Sequence, residues 1–417
     1  MNVSKLPNIV QLVDLLKKTE TKNISEMGGW ENYNSPLCGR LVTYDEIKSP
    51  HHTFCNNGTD NQFVTSRTVS GRMTLMPNLR NKPFIYRGQN KEYPTILCGF
   101  EQENFEGKLK QNLLVEDFIA LLRSHPVFMM FDHGIKLDGC KDRIYFNMNY
   151  YGLGQHYGFK TGLLDFTSDI DVAAFFACTK NLGNDRYVPY NSKNRDAYGV
   201  IYVHKIKPEL TFKGCGFTTV GLQMYPRTGA QKGLVFNQDG RFPPIEKLVT
   251  PLYFKHDYMA SKHVFEKMNS GKALFPEDSL SGIAQDILTS NEVSGETFAL
   301  NLYSNSEDYS TNLRRLESLN MKVNWHKRMI FTPDLLKPFY DDIRNGYWEQ
   351  FCKTIYFGGK NDSELREQML QLPKDEHYRQ FFELEEWERL QAYNYDLIRR
   401  SKQNAPSVNF VPPITRS

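Results

Sequence analysis

The sequence predicts an α+β fold: a mixed central β-sheet core flanked by helices, with an additional mostly helical C-terminal region. Four β-branched or aromatic runs, at 84–88, 198–204, 234–236 and 248–254, alternate with segments of helical apolar spacing. Beyond Asn305 the spacing stays mostly helical. A chain of 417 residues has room for two or three domains at about 100–200 residues each. The expected division is 1–80 (an N-terminal helix and loop-rich region), 81–290 (the α+β core) and 291–417 (the helical region).

Residues 7–18 place Ile9, Leu12, Val13 and Leu16 at helical spacing and end in Lys17-Lys18, as suits a helix C-terminus. Residues 19–80 are rich in Asn, Gly, Ser and Thr, include His51-His52, and read as loops and short strands. Phe84-Ile85-Tyr86 begins a strand that ends in Arg87-Gly88-Gln89. Leu114, Phe118, Leu121 and Leu122 mark a helix over 112–124, and Gly152-x-Gly154 reads as a turn after an aromatic, Asn-rich stretch. Asp169 is placed to cap a helix running to about Lys180, with Ala173, Ala174 and Ala177 on one side and Phe175 and Phe176 filling the core. Strands follow at 198–204, 234–236 and 248–254, the last interrupted by Pro251; helices follow at 257–270 and 279–290. Phe382, Leu384, Trp387, Leu390, Tyr393 and Leu397 predict a long terminal helix, and the tail after Ser401 is expected to fray.

Composition excludes several function classes. The chain is 40% hydrophobic and carries 51 basic against 48 acidic residues, a net charge of +3. That is a globular mixture, with no overall electrostatic case for nucleic acid or an anionic membrane. No apolar run is long enough to span a bilayer, so a cytoplasmic protein is expected. The seven cysteines are scattered and never spaced Cys-x-x-Cys, and no metal is expected. Gly-x-Ser-x-Gly and P-loop motifs are absent.

The candidate site residues stand where polar chemistry interrupts apolar pattern. The guanidinium of Arg87 suits bidentate binding of phosphate or carboxylate, or an internal ion pair with Asp165. Gly88 permits close approach of a ligand to the backbone, and Gln89 follows it. His156 is a candidate acid or base beside turn glycines. Asp165, Thr167 and Asp169 alternate onto one strand face; Thr167 and Ser168 either shape a ligand floor or cap the next helix. Arg227 offers a second phosphate ligand, and Gln231 orients a hydroxyl or water, unless Arg227-Thr228-Gly229 is simply a hairpin turn.

Tyr86-Arg87-Gly88-Gln89, Gln155-His156-Tyr157-Gly158, Thr161 to Thr167, and Val172-Ala173-Ala174-Phe175-Phe176-Ala177, with Arg227 to Phe236 after them, resemble the blocks of the FRG domain family, named for its aromatic-Arg-Gly motif. The order of an Arg strand, a Thr-Ser strand end and a later Gln is also similar to one branch of the mono-ADP-ribosyltransferases. That similarity implies NAD as substrate, Arg87 on a phosphate of NAD, Thr167 and Ser168 around the nicotinamide ribose, and Gln231 where a catalytic Glu belongs. Because Arg227 to Phe236 holds no acid, the carboxylate must come from Asp165, Asp169 or Asp239. The expectation is an ADP-ribosyltransferase or NAD glycohydrolase, as in a microbial stress or phage-defence effector. The alternative is a non-catalytic nucleotide or phospho-ligand sensor that signals to a protein partner through its C-terminal helices.

Overall fold

The computed structural model describes residues 2–26, 63–67, 73–77, 84–138, 143–144, 148–183, 185–192, 194, 196–205, 216–220, 225–238, 240–305, 308–353, 355–356 and 362–387. Asp239, His51-His52, the second half of the terminal helical repeat (Leu390, Tyr393 and Leu397) and the tail after Ser401 lie outside them.

The fold is α+β. A six-stranded sheet runs in the order Thr250–Lys255, Tyr198–Lys205, Phe84–Gln89, Leu163–Thr167, Gly233–Asn237, Phe217–Thr219, and every neighbouring pair is antiparallel. Pro251 is tolerated because its strand is the sheet edge, where a missing N–H disrupts no second ladder.

Strand alternation divides the sheet between two cores. Phe84, Tyr86, Ile201, Val203 and Phe254 face the helices Ile9–Glu26, Ile170–Cys178 and Tyr258–Lys267. Ile85, Leu164, Phe166, Val200, Tyr202 and Leu234 face away from them, toward Ile96, Cys98 and Ile245. A third apolar cluster runs from Leu109 on helix Phe105–Arg123 through the helices Pro333–Arg344 and Asp362–Gln371 to Trp387. The C-terminal helices therefore share one core with a helix of the central region. A short strand at Ile355–Tyr356 also pairs with Phe63–Arg67 near the other end of the sequence.

Two local expectations are corrected. Gly152 and Gly154 are not in a turn but inside the helix Tyr150–His156, whose first turn is capped by the Asn149 side chain accepting from Gly152 N at 2.9 Å. Glycine serves packing there: a Cβ on Gly154 would lie 3.2 Å from Val115 Cγ2. Arg227 likewise sits in a short helix, Pro226–Gln231, and not in a hairpin turn.

Gly88 lines the candidate cavity and also has a close neighbour within the protein. A Cβ at this position would lie 1.9 Å from the backbone oxygen of Ala173 and 2.9 Å from Ala177 Cβ. The alanine-rich helix thus rests directly on the Arg87 strand, which is why glycine on one element accompanies small residues on the other. Gly88→Ala must push apart two backbones. It is expected to lower stability by about 3 kcal/mol, read as a drop in the urea midpoint; an unchanged midpoint would show that the helix can move aside.

Candidate functional site

The two central strands form an opening in the sheet. Phe84–Gln89 pairs along its length with Tyr198–Lys205, and Leu163–Thr167 with Gly233–Asn237, but between themselves they register only at Tyr86 with Thr167. Beyond that pair the ladder stops and the strands part. A cavity of about 340 Å³ lies there, lined by Tyr86 to Asn90 from one strand, Asp165 to Thr167 from the other, and His156, Phe176, Asn181, Tyr187 and Gln231 around them.

Arg87 spans the parting. Its Nη1 donates to the backbone oxygen of Asp165 at 2.9 Å, and its buried Nε has no partner among the described residues. The ion pair with Asp165 that the sequence allowed is not formed: the guanidinium holds the carbonyl, and the Asp165 carboxylate makes no ion pair among the described residues. Burial lowers the affinity of Arg87 for its proton and nearby Asp165 opposes this, yet a guanidinium remains charged at any ordinary pH. A half-buried cation and an unpaired carboxylate thus share one cleft.

Gln89 adds a buried Oε1 with no partner. His156 ends its helix pointing at the short helix 226–231: its Nδ1 lies 2.9 Å from Gln231 Oε1, and its Nε2 has no partner. Burial pulls the His156 pKa below its ordinary value, with Arg227 acting in the same direction and Asp165 and the Gln231 hydrogen bond against it. The ring is neutral near pH 7.

Thr167 is committed to structure. Its hydroxyl donates to the Gln231 backbone oxygen at 2.7 Å and accepts from Asp169 N at 3.1 Å, although the residue does line the cavity. Ser168 is buried and is not among the lining residues. Asp169 caps the alanine-rich helix, accepting from Asp171 N at 2.9 Å, and pairs with Lys232 at 2.6 Å, as the capping reading required. Of the acids the sequence offered, Asp165 alone lines the cavity among the described residues.

Arg227 is placed behind the cavity, outside its lining. It is 5% exposed, pairs with Asp185 at 2.6 Å, donates to Ser281 Oγ at 3.0 Å, and lies over the Tyr157 ring at 4.8 Å. Asp185 belongs to the turn of the hairpin Thr179–Asn181 and Tyr187–Pro189, so Arg227 fastens the hairpin that carries Asn181 and Tyr187 to the cavity.

Asn90, Phe176, Asn181 and Tyr187 were not legible as site residues in the sequence. Phe175 and Phe176 read as one core pair, but only Phe175 is fully buried while Phe176 lines the cavity; adjacent helical residues point about 100° apart. Tyr86 also lines the cavity from within the sheet, its hydroxyl donating to Glu20 on the N-terminal helix at 2.7 Å.

Among the described residues no cluster of His, Cys, Asp or Glu is suited to a metal, and no helix is long and apolar enough to cross a membrane. Cys98, Cys178 and Cys352 are buried free thiols. Residues 82–186 match the family model of the FRG domain, about a quarter of the chain, stopping short of the Arg227 to Phe236 block. No curated protein and no solved structure matches the chain.

Proposed function

We propose that the FRG domain carried by this chain binds a nucleotide in the cavity between its two central strands and cleaves the bond between ribose and base, with NAD as the substrate. One observation carries this reading: among the described residues, Arg87, Gln89 and His156 each keep a buried polar atom without a partner and Asp165 makes no ion pair, and all four line one cavity. Unsatisfied buried polar atoms are costly in a folded protein, and a ligand that completes them recovers that cost on binding.

In this reading Arg87 takes an anionic phosphate oxygen, where partial desolvation strengthens a charge-assisted hydrogen bond. Phe176 and Tyr187 give a planar ring an apolar wall. Cleavage of the glycosidic bond builds positive charge on the ribose, and the carboxylate of Asp165 offsets it.

The test is release of nicotinamide from NAD by the full chain. Arg87→Ala is expected to lower the rate about 10²–10³-fold, the range for loss of one preorganised charge-stabilising group. Asp165→Asn, nearly the same shape without the charge, is expected to act as strongly. No release by the wild type, or equal release from Arg87→Ala, overturns the catalytic reading. Stabilisation of the fold by NAD without turnover would instead assign the cavity to ligand sensing, with the C-terminal helices as the route to a protein partner.

A further inference from the structure

The orientation of one imidazole is fixed by a chain of hydrogen bonds that ends on the backbone. Gln231 Nε2 donates to the Leu274 carbonyl at 3.0 Å. A carbonyl oxygen only accepts, so the amide is locked with its Oε1 toward His156. That oxygen also only accepts, so at 2.9 Å the proton it receives is on His156 Nδ1. In a neutral ring the other nitrogen, Nε2, then carries the lone pair.

Among the described residues this lone pair has no donor. Gly233 packs directly against the ring: a Cβ there would stand 2.6 Å from Nε2 and 2.9 Å from Cε1, so any larger residue would displace the imidazole. Gly233 needs no special backbone freedom, being an ordinary strand residue paired with Thr167, so contact with the imidazole is the constraint the structure exhibits there. The charged groups facing the ring are Asp165 from the neighbouring strand and Arg227 from the short helix, and they act in opposite directions.

We propose that His156 Nε2 is the general base of the site, that the group it faces in the bound state is the O–H of water or of an acceptor hydroxyl, and that Gln231 is the residue that positions it. The proposal rests on the NAD-cleaving reading above and narrows it to oxygen nucleophiles. As the oxygen bonds to the anomeric carbon of the ribose, its proton passes to His156 Nε2. The pair of electrons of the breaking carbon–nitrogen bond goes to the pyridinium nitrogen, and nicotinamide leaves neutral. The imidazolium then returns its proton to solvent. Gln231 does not stand in for a catalytic Glu here; an amide has no proton affinity to offer at neutral pH.

Two measurements on the full chain test this. Nitrogen-15 labelling of histidine reads the tautomer directly and needs no substrate: His156 is expected as the Nδ1–H form, and an Nε2–H form overturns the proposal. The second follows nicotinamide release from NAD against pH. His156→Gln is expected to lower the rate at least about 10²-fold, the usual contribution of a general base. Gln231→Glu sets a carboxylate against Nδ1–H and raises the imidazole pKa, so the acid limb of the profile is expected to move to higher pH. A profile indifferent to Gln231→Glu, or a His156→Gln rate equal to wild type, overturns the proposal even if NAD is cleaved. If the wild type releases no nicotinamide, the proposed function falls and so does the base role, while the tautomer still reports whether Nε2 is the acceptor.

Discussion

Asp117→Ala is expected to lower the stability of the protein by about 3–5 kcal/mol, the cost of breaking a buried ion pair from one side. Asp117 lies on helix Phe105–Arg123 and is fully buried. Its carboxylate accepts from Ser294 N at 3.2 and 3.1 Å, from Ser294 Oγ at 2.7 Å and from Lys327 Nζ at 3.2 Å. These contacts bind a helix of the central region to the short parallel pair Glu292–Ser294 and Lys322–Asn324. Removing the carboxylate strands the Ser294 N–H and leaves a partly buried ammonium with only the Glu292 carbonyl, at 2.8 Å. Lys327→Ala is expected to cost less, because the Ser294 bonds to Asp117 remain. The check is urea unfolding of both single variants and the double variant. Additive losses would show that the pair is not coupled.

The second large effect is a dependence on pH set by His125. Its ring is fully buried, with Phe128, Phe331 and Phe339 centred 5.1, 4.9 and 4.3 Å away. Nδ1 accepts from Val127 N at 3.3 Å as the cap of helix Pro126–His133, so protonation there would break the cap. Burial pushes the pKa down to about 3. The folded value lies below the ordinary value of about 6.5, so the unfolded chain binds the proton more readily. Stability from this group is complete above pH 6.5 and is lost as the pH falls from there toward 3. The full loss reaches about 5 kcal/mol at about 1.4 kcal/mol per pH unit. His156 adds to it with the same sign. His125→Asn keeps a capping acceptor without the titration. Its unfolding midpoint should sit lower at pH 8 from lost packing and fall less between pH 7 and 5. A slope equal to wild type would show that His125 is not the titrating group.

Several features of this protein could be read from local pattern. The Phe84–Tyr86 strand, the Asp169 cap, the helix after it and the strand containing Pro251 each depend on residues within a few positions of one another. Period-two and period-3.6 spacing report such elements directly. Arg87 could be singled out because a charge ends an apolar strand, Asp165 because it alternates with apolar residues, and His156 because it stands beside glycines; Gln89 and Gln231 stand out through the blocks that resemble the FRG family. Spacing carried no signal for Asn181 and Tyr187, which lie in a hairpin too short to show periodicity, or for the buried role of Gly88. The sequence read glycine at that site as room for a ligand; the residue does line the cavity, and its missing Cβ also makes room for a helix backbone.

The sequence by itself determined the α+β class, the longer strands and helices of the core, and which side chains are able to hold an anion or a proton. The tertiary structure alone decided their partners. Arg87 and Asp165 are 78 positions apart, His156 and Gln231 are 75, and Arg227 and Asp185 are 42. Which of these meet depends on where two neighbouring strands stop pairing and on which helix packs over the gap. A guanidinium looks the same in a sequence whether a carboxylate or a cavity awaits it. Packing committed Arg227 to an ion pair with Asp185 behind the cavity and set Arg87 in the lining of the open cleft.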